Sequence, residues 1–262
     1  MKTILHISVL ELENLLCKKL VWLTAAGYVL AALTICLCDS LRQSYFYDVE
    51  NLPIELTNFV EPYFLATALI SALAPVFAGD REQNLDQLSA ACLAGRKGRT
   101  AAKILASCVF AVTICGLFGA ISVLIPAACG QWDGGLPVES IGGELGLSGR
   151  WTVSRYLLFS LASGSAGCVI LSLLLLYISC AAASTATALS VSGTGILFEF
   201  LFHRFSFFTL LKEYNVWMFL KPYSFFCMNL LPFSPVVNLS VLCAAAAPVC
   251  GLAVWAVLRR GI

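Results

Sequence analysis

Two histidines, twelve cysteines and a few acidic residues beside apolar runs are the groups in this sequence that could do chemistry. Ionisable residues at the ends of apolar segments include Glu61, Glu199, His203 and Arg204. Glu199 and His203 stand four apart, so a helix would set them on one face, as an interfacial ion pair or as a proton relay. His6 and His203 fall on opposite sides of the topology derived below and cannot share a metal. No serine–histidine pairing, H-E-x-x-H, C-x-x-C or zinc-spaced Cys/His cluster occurs. Most cysteines, among them Cys108, Cys115, Cys168, Cys243 and Cys250, lie inside apolar runs, where a thiol packs as a small hydrophobe. Cys129 and Cys227 are both assigned to the outer side, which leaves a disulfide open. There is no G-x-x-x-x-G-K-[ST], so the chain carries no P-loop and no cofactor of its own is expected. An enzyme is therefore not expected.

Two further constellations bear on binding. The polar loop 79–102 carries Asp80, Arg81, Glu82, Asp86, Leu88 and Arg96. Its first half, Asp80 to Leu93, can form a short helix with Leu85, Leu88 and Cys92 on one face. Acidic residues at the start of that helix suit its N-terminus. The run Ala181–Gly195 is rich in small residues, and Ser184, Ala188, Ser192 and Gly195 fall close to one stripe. Small residues let helix backbones approach closely and hydroxyls bond across helices, so the stripe reads as tight packing or as the lining of a path.

The elements that would position these groups follow from hydropathy. Of 262 residues, 60% are hydrophobic and 12% charged, and the mean hydropathy is +0.88. A water-soluble domain has about a quarter of its residues charged. Backbone groups in lipid must bond internally, so spans are helices or closed barrels. Long unbroken apolar runs select helices over the alternating strands of a barrel. The expected fold is an all-α membrane protein, one domain over 1–262, with six spans: Leu20–Cys38, Pro62–Ala78, Ile104–Cys129, Leu157–Ser179, Ala181–Leu201 and Val237–Leu258. Residues 1–19 read as an amphipathic helix in the membrane interface, with Leu5, Val9, Leu12 and Leu16 on one face. Glu11 and Glu13 stand where a signal peptide would be apolar, so none is expected. Residues 202–236 are strongly aromatic and broken by Pro222, Pro232 and Pro235. They read as short re-entrant helices in the outer interface; Lys212, Glu213 and Lys221 argue against a seventh span.

Ten Lys and Arg residues fall on the side of the termini (Lys2, Lys18, Lys19, Arg81, Arg96, Lys97, Arg99, Lys103, Arg259 and Arg260) and six on the other. The excess predicts both termini cytoplasmic, in a multi-pass protein of the cell membrane. The formal charge of +1 gives no sign of a nucleic-acid partner.

In loop 79–102 and its flanks, Phe77, Asp80, Asn84-Leu85, Leu88, Arg96 and Lys103 occupy places that resemble the first cytoplasmic loop of the permease subunits of type-2 ATP-binding-cassette (ABC) transporters. That family's pattern is an aromatic residue, an acid, Gly-Thr, a Leu-rich turn and a Pro-x-x-Arg segment, with a lysine seven residues after the arginine. Here Asn84-Leu85 replaces Gly-Thr, and the proline before the arginine is missing. The N-terminal interfacial helix, the six spans and the aromatic insertion before a last span entered through Phe233, Ser234 and Pro235 extend the likeness over nearly the whole chain. The resemblance implies a permease that pairs with a second permease, identical or paralogous, and exports a hydrophobic or amphipathic substrate (drug, peptide or lipid-like). It also implies a separate ABC ATPase subunit, which would carry ATP and Mg. Asp80, Arg81, Glu82, Asp86, Leu88 and Arg96 would then form a coupling helix on that ATPase. The alternative is a stand-alone membrane protein, such as an ion-coupled carrier or an immunity protein.

Overall fold

A computed structural model describes residues 2–37, 52–83, 95–130, 135, 151–204, 217–221, 225 and 235–260. These are helical almost throughout: α1 (Lys2–Leu16), α2 (Lys19–Leu37), α3 (Leu52–Glu82), α4 (Gly95–Ala128), α5 (Val153–Ala181), α6 (Thr185–Arg204), α7 (Trp217–Leu220) and α8 (Pro235–Arg260). Among the described residues, five helices are long and apolar enough to cross a membrane: α2, α3, α4, α5 and α8. The expected span 181–201 is occupied by the 20-residue helix α6.

The chain bends where sequence chemistry says it should. Cys17 and Lys18 separate α1 from α2, and the Trp22 indole donates to the Leu16 carbonyl at 2.6 Å, satisfying the end of α1. The buried side of α1 is Ser8 and Leu15, packed along α4, whereas Leu5 and Val9 are exposed. The apolar face expected to act as one unit is thus split between protein contact and an outward surface. At its far end α4 stops at Gly130, whose φ of 73° closes the helix in the left-handed conformation that glycine tolerates.

The helix α3 is longer than the expected second span, beginning at Leu52, ten residues before Pro62. It is irregular in two places. Leu56–Val60 is a π-helical turn, and Ala74 interrupts the helix before Pro75, which lacks the N–H to continue it. The core lies where α2, α3, α4 and α5 meet, around Tyr28, Leu65, Leu69, Phe110, Ile114 and Phe118. Tyr28 stacks on Phe118 with centroids 5.1 Å apart.

The aromatic segment 202–236 contributes two described pieces. The short helix α7 packs on α5, and a Cβ added at Gly167 would come within 2.6 Å of the Phe219 Cβ, so only glycine permits this approach. Phe219, Phe225 and Phe159 form edge-on aromatic pairs at 5.7–5.8 Å. Gly167 lies midway along α5, about 21 Å from Val153 by helix rise. The remaining residues of 205–234 lie outside the described residues. Cys129 is an exposed free thiol, and Cys227 lies outside the described residues.

Candidate functional site: an inner polar hub and an outer buried carboxylate

Two polar sites stand 19 residues apart on α3, about 28 Å of helix: one at Asp80, beside α1, termed the inner site, and one at Glu61, termed the outer site. That spacing is close to the thickness of a hydrocarbon core.

The inner site grows out of the Pro75 break. A broken helix leaves the N–H groups of its new first turn without partners. The Ser179 hydroxyl of α5 accepts two of them, from Phe77 at 2.9 Å and Ala78 at 3.2 Å. On the other side of the break, the Ala72 carbonyl accepts the Lys18 ammonium at 2.6 Å. Arg81 reaches across to α5 and donates to the carbonyls of Ser179, Cys180 and Ala182, with 2.8 Å to Ala182. It thereby satisfies the last carbonyls of that helix. Glu82 accepts both the backbone N–H (2.8 Å) and the hydroxyl of Thr185, the first residue of α6. A carboxylate suits this N-terminus, which Ser184 also caps by accepting the Thr187 N–H at 3.2 Å.

Asp80 faces the opposite way, toward α4. It pairs with Lys103 at 2.5 Å and with Arg99 at 3.4 Å, and Arg99 lies 3.8 Å from Glu11 of α1. The Lys103 side chain is only 4% exposed. Its ammonium also donates to the Val76 carbonyl at 3.0 Å and sits over the Phe77 ring at 5.2 Å. Three positions on which the sequence resemblance rests, Phe77, Asp80 and Lys103, thus meet in space. Lys18 stands near this group, and burial, with the Lys103 charge adding to it, pushes its ammonium down to about 8.

The expected coupling residues are therefore placed unequally. Asp80, Arg81 and Glu82 are not the start of a separate short helix. They finish α3 and spend their polar atoms on α4, α5 and α6. Arg96 lies in the first turn of α4. Asp86 and Leu88 lie outside the described residues. Of the small-residue stripe on α6, Ala188 and Ser192 are buried against the bundle, Ser184 is half-buried and Gly195 is exposed.

The outer site escaped the sequence reading. Hydropathy alone sets Glu61 at the end of a span that begins at Pro62. It lies instead inside α3, 6% exposed, just after the π-helical turn. Ser122 of α4 donates to its Oε2 at 2.5 Å, and the Tyr28 hydroxyl lies 2.6 Å from Ser122 Oγ. Within the π turn, Asn58 Oδ1 accepts the Tyr156 hydroxyl of α5 at 2.8 Å. A π turn adds a residue to the helical repeat and so re-aims side chains, often at functional sites. Pro53 in the first turn and the four-residue spacing of Leu52, Leu56 and Val60 are signals that could have extended the helix outward.

Beside Glu61 is a cavity of about 550 Å³ between α4 and α5. Its walls are mostly apolar, and Gly116, Gly119 and Ala120 leave the room. Leu124 and Leu158 at its edge are exposed. No protein-family model matches the chain, and no curated protein matches it.

Proposed function

We propose that this chain is the permease subunit of a type-2 ABC transporter, exporting a hydrophobic or amphipathic substrate and driven by a separate ATPase. The observation that carries the reading is the inner hub. Phe77, Asp80 and Lys103 converge, and one short stretch, Asp80–Glu82, ties α3 to α4, α5 and α6. A load applied to the segment that follows Glu82 would reach three helices through charged contacts. Residues 84–94, with Asp86 and Leu88, are on this reading the ATPase-docking surface, while Asp80, Arg81 and Glu82 transmit its movement.

In the proposed topology α6 is a sixth crossing, both termini are cytoplasmic, and the chain sits in the cell membrane beside a second permease. The short helix α7 reads as re-entrant, supported by its seat against the middle of α5. Arg259 over the Trp255 ring suits an inner-interface anchor at the end of α8.

The test is reconstitution with the cognate ATPase. Leu88→Glu is expected to abolish the stimulation of ATP hydrolysis by the permease while leaving membrane insertion intact; unchanged stimulation contradicts the docking assignment.

One observation favours a second reading, an ion-coupled carrier. The Tyr28–Ser122–Glu61 chain could hold or release a proton, because Ser122 can turn its hydroxyl to the Phe118 carbonyl, 3.1 Å away. Substrate accumulation driven by a pH gradient in vesicles lacking any ATPase would support the carrier and count against the permease.

A further inference from the structure

The outer cavity has one property that its apolar walls do not explain. A carboxylate lines it, and among the described residues no lysine, arginine or histidine pairs with that carboxylate. Ser122, itself 2.6 Å from the Tyr28 hydroxyl, donates to Oε2 of Glu61, and among the described residues no hydrogen bond is made to its Oε1. Removing a carboxylate from water is costly unless charge or hydrogen bonds compensate. The walls beside Glu61 come from Val123, Leu157 and Leu161, with Thr57, Ser154 and Ser160 as the further polar groups. Gly116 faces open space: a Cβ added there meets nothing within 4 Å.

We propose that this cavity is a binding site for lipophilic organic cations, with the apolar body of the ligand between α4 and α5 and its positive charge against Glu61. The proposal deepens the permease reading by naming the substrate class, and it rests on that reading only for the step of transport. The volume suits a small ligand, since drug-sized pockets run from about 300 to 1,000 Å³. Charge complementarity selects the class: a cation and the Glu61 carboxylate stabilise each other, an anion is repelled, and a neutral ligand gains nothing from the carboxylate's charge.

The full chain, purified in mild detergent without any ATPase, tests this by equilibrium dialysis with tetraphenylphosphonium and, as a neutral comparison of similar bulk, triphenylphosphine oxide. Wild type is expected to bind the cation saturably and in preference to the neutral compound. Glu61→Gln should weaken cation binding about tenfold or more while leaving the neutral compound unaffected. Gly116→Leu, whose Cβ meets nothing within 4 Å and whose side chain takes up space in the cavity, should weaken both. Labelling of Glu61 by a hydrophobic carbodiimide in the wild-type chain gives a second readout that needs no variant. The cation should protect Glu61 and the neutral compound should not. Absence of saturable cation binding, equal binding by Glu61→Gln, or labelling unaffected by the cation overturns the proposal. Because no ATPase is present, such a failure leaves the permease reading standing. The permease reading fails separately, if no ATPase co-purifies with the tagged chain from its native membrane, and that outcome leaves cation binding untouched.

Discussion

At the scale of single residues, the charges of the hub are held by geometry that makes their effects measurable. Lys18 donates to a carbonyl released at the Pro75 break and is partly desolvated there. Its folded-state value is about 8, against 10.5 for a lysine in water. Between those two values the unfolded chain binds the extra proton, so stability rises with pH across that window and is lower below it. The thermal midpoint of the purified chain should therefore climb between about pH 8 and 10 relative to Lys18→Met. Parallel profiles for the two proteins would contradict the burial of this charge. Asp80 and Lys103 form the tightest pair of the hub. Asp80→Asn leaves a nearly buried ammonium without its counter-charge, at a cost of about 3–5 kcal/mol. Adding Lys103→Met should recover most of that loss in a denaturant or thermal unfolding series; if the double variant is no better than the single one, the pair is not the cause.

At the scale of elements, the helices were mostly legible in the sequence, because apolar runs of membrane length admit few alternatives. The ends of α4, α5 and α8 lie within a turn or two of their hydropathy boundaries, except where α4 reaches back to Gly95. Two features were not legible. The outward extension of α3 was hidden by Glu55, Thr57, Asn58 and Glu61, which read as an aqueous loop until partners on other helices are known. Tyr156 and Ser122, the partners of Asn58 and Glu61, lie 98 and 61 residues away. Likewise, Asp80, Arg81 and Glu82 read as a surface motif, whereas their targets are carbonyls and N–H groups at the ends of α5 and α6. Hydropathy gives no sign of which backbone groups a bend will release. The seat of the helix α7 on α5 includes one close approach, at Gly167. Gly167→Ala would drive a methyl group into Phe219, an overpacking cost of about 1–3 kcal/mol. The thermal midpoint should fall, and adding Phe219→Ala, which keeps the clashing Cβ, should not restore it. A neutral Gly167→Ala would place α7 elsewhere.

At the scale of the whole molecule, the two polar sites divide the labour that the proposed function requires. The inner hub links α1, α3, α4, α5 and α6 through ion pairs and helix-end contacts. The outer carboxylate and its cavity lie on the same α3, about one membrane thickness away. Movement of the inner end of α3 has a direct mechanical route to the cavity, since α4 and α5 form its walls and both are gripped by the hub. The remaining exposed apolar surface on α2 and α8, including Leu23, Leu30, Leu252 and Trp255, suits lipid or a second permease.

The central claim is that this chain works as the membrane half of an ATP-driven machine. The most direct measurement is affinity purification of the tagged chain from its native membrane in mild detergent. Partners would be identified by mass spectrometry, and Mg-dependent ATP hydrolysis measured on the eluate. The account predicts stoichiometric recovery of a P-loop ATPase together with hydrolysis that Leu88→Glu removes. A well-folded chain that elutes with no ATPase and no hydrolytic activity would contradict it.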